Sequence, residues 1–127
     1  ATSRADLCQA LLEGIAFCTA EVVAAMGEHV PIGAALSIDG GLTGSPYFAQ
    51  TLADVLEREV VVPPLAELTA MGCAALAARG LGVALAPPQA GGRAFAPRPV
   101  PAAAWRARFA EAVARSRGWH RGEAANT

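Results

Sequence analysis

The stretch ALSIDGGLTGSPYFAQTLADVL, Ala35 to Leu56, sets a strand-like run, a cluster of three glycines and an amphipathic helix end to end. Leu36 and Ile38 alternate with Ala35, Ser37 and Asp39, which is the period of a half-buried strand, and Gly40 and Gly41 close it. Ser45 followed by Pro46 marks a helix start: the hydroxyl caps the free amides, and proline occupies the first helical position, where its missing N–H costs nothing. Phe48, Leu52, Val55 and Leu56 then fall on one face, leaving Gln50, Asp54 and Glu57 outside. The local order is strand, glycine turn, helix.

Downstream, EVVVPP gives a second apolar strand, Glu59 to Val62, closed by Pro63 and Pro64. TAMGCAALAA, Thr69 to Ala78, reads as a further helix that Thr69 caps and Arg79 to Gly82 ends. Its Ala70, Gly72, Ala74, Ala75 and Ala78 are small enough for close packing against a neighbour, although a general richness in alanine gives the same pattern. Upstream, Leu7, Leu11, Ile15, Cys18, Val22 and Met26 recur at steps of three and four. They predict a long core-facing helix that starts at Thr2 or Ser3 and stops near Gly27, ahead of Pro31. After Pro87 the composition changes. PPQAGGRAFAPRPVP has the character of a connector, and AAAWRARFAEAVARSRGW predicts a tail helix that docks through Trp105, Phe109, Ala112 and Val113. Arg106, Arg108, Arg115 and Arg117 form its solvated face, with Glu111 available for pairing, and residues beyond Gly118 are expected to fray.

A chain of 127 residues, 54% apolar and with a net charge of −1, has the size and composition of one folded α/β unit. Its ten basic residues are all arginine, scattered and balanced by eleven acids, so no basic face for nucleic acid is visible. Cys8, Cys18 and Cys73 are odd in number, far apart and set among apolar residues, which predicts buried thiols in a reducing compartment rather than a metal site. There is no leader-like N-terminus and no uninterrupted apolar run of about 18 residues, which points to a cytoplasmic protein with no membrane partner. His29 and His120 stand without partners at metal spacing and are expected in solvent.

Bare amides at a glycine turn and a helix N-terminus offer partial positive charge with no side chain in the way, which suits a phosphate or the ribose edge of a nucleotide. Glycine also serves any strand that must turn sharply, so the turn alone leaves both readings open.

Three segments carry a resemblance. ALLEGIAF (Ala10 to Phe17), SIDGGLTGSPYFAQTLADVLEREVVVP (Ser37 to Pro63) and ELTAMGCAALAARGLG (Glu67 to Gly82) resemble, in content, order and spacing, successive motifs of the C-terminal domain of the FGGY carbohydrate kinases. Asp39 ahead of the glycine pair, and a tail with Trp105, Ala112, Val113 and Trp119, look most like the glycerol kinase branch. The resemblance covers residues 4 to 85, and the tail more loosely.

It implies an α/β fold that is part of a ribonuclease-H-like, actin-like ATPase domain. It implies ATP and Mg2+ in a cleft between two such domains, and transfer of a phosphoryl group to a hydroxyl of a small polyol or sugar. On this pattern residues 1–86 are the later part of the C-terminal domain, 87–100 a connector, and 101–127 a docking helix and tail. Gly40, Gly41 and Gly44 lie against the nucleotide, and Ser45 takes the place that meets adenine, where glycerol kinases usually carry Asn. A hydroxyl engaged as a helix cap has little left to offer a base edge, so adenine selectivity is weakened. Gln9 stands where the family often has Arg, and Leu11 replaces a smaller residue.

Asp39 either positions a magnesium-bound water near the phosphates or caps the glycine turn through its own side chain. Glu13, amid apolar neighbours, is expected to make a structural hydrogen bond. The family's general base and first phosphate loop belong to its N-terminal domain, and neither motif occurs here, so no catalytic residue is assigned to this chain. Two strands are too few for a ribonuclease-H-like sheet, and the chain reads as a fragment that needs the N-terminal kinase domain as partner; assembly with copies of itself stays open. Two other readings remain. One is a non-catalytic binding or assembly module with the same fold. The other is a fragment of a short-chain dehydrogenase, which SIDGGLT also resembles, although GxGxxG and Tyr-x-x-x-Lys are both missing.

Overall fold

A computed structural model describes residues 1–64, 68–84 and 91–117. Helix α1 (Arg4–Gly27) begins at a capping box: the Ser3 side chain accepts from the Asp6 amide, and the Asp6 carboxylate accepts from the Ser3 amide at 2.8 Å. Strand β1 (Ala35–Ser37) leads through a 3-10 turn (Gly41–Gly44) into α2 (Pro46–Leu56). Glu57, in the left-handed region at φ 54°, ends that helix and turns the chain into β2 (Glu59–Val62). Helix α3 (Leu68–Gly80), strand β3 (Arg93–Phe95) and helix α4 (Ala102–Ser116) follow.

The sheet runs β1-β2-β3, with β1 parallel to β2 and β3 antiparallel to it. A parallel pair joined by a helix needs the crossover that α2 supplies. The core sits between that helix and the sheet: Phe48, Leu52 and Ala53 meet Val60 from below and Ala16 of α1 from beside, with Leu12, Ile15, Ile38, Leu56 and Phe95 around the edge.

Several expectations are corrected. Of the predicted core stripe of α1 only Ile15 packs on the core; the rest faces outward, with Leu7 63% and Leu11 67% exposed and Cys18, Val22 and Met26 exposed with them. The face that packs is Leu12, Ile15, Ala16 and Ala20, whose small residues let α2 approach closely. A helix apolar on nearly every side has no single face that periodicity can select, and such helices are built to be covered all round. No residue of α3 is buried among the described residues, so its small side chains are not in a tight contact there, and Thr69 lies within the helix rather than capping it. All three cysteines are exposed, because they sit on these two uncovered faces. Asp54, assigned to the outside of α2, is buried.

The predicted connector holds β3, an edge strand too short to show a period. In α4 the outward arginines divide: Arg115 pairs with Glu111 as expected, while Arg106 turns inward to the Val55 carbonyl and Glu57. Phe109 docks as expected, its ring stacked on Phe17 with centroids 5.1 Å apart. Trp119, His120 and the fraying expected beyond Gly118 lie outside the described residues.

Candidate functional site: the glycine turn

The chain leaves β1 with one last ladder bond, from the Ile38 amide to the Val61 carbonyl at 3.0 Å. Gly40 then takes φ 109°, a conformation that only glycine adopts without strain. The 3-10 turn is tied at its start by the Thr43 amide and hydroxyl, which both donate to the Gly40 carbonyl, at 3.0 and 2.7 Å. It is tied at its end by the Ser45 amide, which donates to the Leu42 carbonyl at 3.0 Å. The first amides of such a turn have no partner inside it, and among the described residues those of Gly41 and Leu42 donate to no acceptor.

Gly41 and Gly44 differ from Gly40. Neither has a positive φ, and a Cβ built on either meets nothing within 4 Å. Backbone conformation and packing within the chain therefore leave both glycines unexplained, and the open space beside them is what a side chain would fill.

Ser45 caps α2 as expected: its hydroxyl accepts from the Phe48 amide at 3.3 Å, with Pro46 next in line. Asp39 is exposed, and its carboxylate accepts no hydrogen bond among the described residues. No side chain caps the turn: Asp39 does not, and the Thr43 hydroxyl ties it through the Gly40 carbonyl instead. Glu13 makes the structural bonds expected of it, accepting from the Tyr47 hydroxyl at 2.6 Å and from Gln9 at 2.7 Å. Partial burial, then the bond to the Glu13 carboxylate and its charge, push the Tyr47 phenol above its ordinary value. His29 is exposed.

Sequence reasoning missed Arg93, whose guanidinium reaches from β3 to donate to the Thr43 carbonyl at 2.9 Å. Fifty positions separate the two residues, and no local pattern announces the contact. It also missed a cavity of about 470 Å³ between α1, α2 and α4, which Phe17, Tyr47, Asp54, Arg98 and Trp105 help to line. None of residues 40–45 is among the residues that line it.

The sequence profile of the FGGY family of carbohydrate kinases, C-terminal domain, matches residues 1–81. A glycerol kinase of Rhodospirillum centenum is 41% identical over 83 residues, which are 65% of this chain and 17% of that protein. Among solved structures, Plasmodium falciparum glycerol kinase with ADP superposes with a TM-score of 0.66 at 26% identity, over 90% of this chain and 24% of its own. Xylulose kinase from Rhodospirillum rubrum does so with a TM-score of 0.65 at 28% identity, over 94% of this chain and 26% of its own. The chain thus spans about a sixth to a quarter of the relatives it matches. Its fold is part of the ribonuclease-H-like, actin-like architecture of those kinases.

Proposed function

Because this chain belongs to the FGGY family of carbohydrate kinases, as part of its C-terminal domain, we propose that it supplies part of the nucleotide-binding half of an enzyme that phosphorylates a hydroxyl of a small polyol or sugar, glycerol-like in type. Membership of this family sets aside the dehydrogenase reading of SIDGGLT. The observation that carries the proposal is the pair Gly41 and Gly44, glycines that neither φ nor packing demands among the described residues, beside amides with no acceptor there. A triphosphate fits both facts: the amides donate to its oxygens, and the missing side chains let it approach.

In this reading Gly40 supplies the bend, Gly41 and Gly44 the clearance, and Ser45 the rigid start of α2 at the edge of the base. The exposed Asp39 carboxylate, free of any bond within the described residues, suits a water of Mg2+, an ion that neutralises phosphate charge during transfer. The chain's own work is to bind and orient; the general base and the polyol contacts belong to the N-terminal kinase domain, the partner this reading requires. Residues 1–86, 87–100 and 101–127 serve as domain body, connector and docking tail, with the connector lending β3 to the sheet. The enzyme this implies is cytoplasmic. By length and composition α1 would suffice to cross a membrane; in this chain its Glu13 bonds to Tyr47 and its Ala16 lies in the core.

The test is Gly41→Val in the full-length enzyme. The added side chain enters open space, so the fold and the melting temperature hold, while KM for ATP rises by about tenfold or more and KM for the polyol stays. An unchanged KM for ATP would overturn the assignment. If the intact protein bound no nucleotide at all, the non-catalytic module would be the better reading.

A further inference from the structure

We propose that Arg93 is a positioning residue for the nucleotide, pinning the glycine turn from the edge strand of the sheet; this rests on the reading of that turn given above. The turn's backbone bonds and the bond of its Thr43 hydroxyl are local, formed between residues 40 and 49. The bond from the Arg93 guanidinium to the Thr43 carbonyl is, among the described residues, the one side-chain hydrogen bond that reaches the turn from a distant part of the sequence. A trans peptide is rigid, so holding the Thr43 carbonyl also sets the direction of the Gly44 amide on the opposite side of the same plane. A 3-10 turn of four residues, rich in glycine, has little stiffness of its own, and one charged anchor removes much of the freedom that a bound ligand would otherwise have to freeze.

The anchor is itself held on three sides. Arg93 pairs with Val62 in the β2–β3 register. Gly92, at φ 128°, passes so close to β2 that a Cβ would stand 2.3 Å from the Val62 carbonyl oxygen, which fixes how β3 enters the sheet. The guanidinium also lies over the Phe95 ring, 5.8 Å from its centroid. Arg93 has no carboxylate partner among the described residues, so its side chain is committed to the turn rather than to an ion pair.

The experiment uses the full-length enzyme with Arg93→Met, which keeps the length of the side chain and removes its donors, beside Arg93→Lys and Gly41→Val. Arg93→Met should raise KM for ATP by about fivefold, with kcat at saturating ATP, KM for the polyol and the melting temperature near wild type. Arg93→Lys should recover part of the loss, because one ammonium can still reach one carbonyl. A general fall in melting temperature with both KM values rising together would mean that Arg93 merely holds β3, and would overturn the proposal. If Gly41→Val raises KM for ATP while Arg93→Met does not, the positioning role fails and the nucleotide turn survives. If neither variant moves it, the turn itself is misassigned.

Discussion

The guanidinium of Arg98 donates to the carboxylate of Asp54 at 2.6 Å, and the Arg98 amide donates to the same carboxylate at 2.8 Å, joining the segment before α4 to the last turn of α2. Asp54 is 2% exposed; the arginine side chain is 62% exposed. The guanidinium's Nε adds a bond at 3.0 Å, and Gln50 donates a fourth to that carboxylate and, with the same amide nitrogen, another to the Ala96 carbonyl. One buried acid thus organises the approach to the tail helix. Loss of Asp54 removes every bond at once, whereas loss of the Arg98 side chain leaves the amide and Gln50 in place. Asp54→Ala should therefore cost about 3 kcal/mol and Arg98→Ala about half of that, read from urea unfolding of the full-length enzyme.

The same group sets a dependence on acid. Burial is the largest single influence on Asp54 and pushes its carboxyl up, but the bonds from Arg98 and Gln50 and the arginine's charge together outweigh it and hold it below the ordinary 3.8. As pH falls, the unfolded chain takes up this proton first. The stabilisation is complete well above 3.8, erodes as pH drops below that value, and is gone once the folded carboxyl is protonated as well. Melting temperature followed from neutral pH into this window should fall less steeply in Arg98→Ala than in wild type, since that variant has less to lose.

Ser45 separates capping from base recognition. Ser45→Ala removes the bond to the Phe48 amide and should cost about 1 kcal/mol while leaving the preference for ATP over GTP untouched. Ser45→Asn keeps a capping oxygen and adds an amide, and should sharpen that preference at little cost in stability. Paired KM values for the two nucleotides check both; a shift in preference on Ser45→Ala would show the hydroxyl at work on the base.

Gly92 and Gly41 should respond oppositely to the same change. Gly92→Ala forces a Cβ against the Val62 carbonyl at a strained φ and should cost about 2 to 3 kcal/mol as β3 is displaced. Gly41→Ala meets neither obstacle and should leave stability within about 0.5 kcal/mol. Equilibrium unfolding of the two variants decides it.

The exposed apolar stripe of α1 should be internal in the whole enzyme. Cys18 lies on it, so a maleimide should label Cys18 readily in the isolated chain and at least about tenfold more slowly in the full-length protein. Equal rates would mean that no other part of the enzyme covers this helix.

What could be read without a structure was local. The strand, glycine turn and capped helix of residues 35 to 56 follow from alternation, glycine and a serine–proline pair, all of which act within a few residues of themselves. So do a helix start at Thr2 or Ser3 and the availability of Glu111 for pairing; the structure chose Ser3, through a capping box, and Arg115. The choice of packed face on α1 was not local: large side chains on every side make each face equally eligible, and only the approach of α2 selected Ala16 and Ala20. Asp54 looked like a solvent-facing acid until a guanidinium 44 positions away repaid its desolvation. β3 was invisible because three residues hold no period, and it exists only because β2 offers an unpaired edge. The glycines of the turn are written in the chain; the bond that reaches it from Arg93 to the Thr43 carbonyl is put there by the sheet.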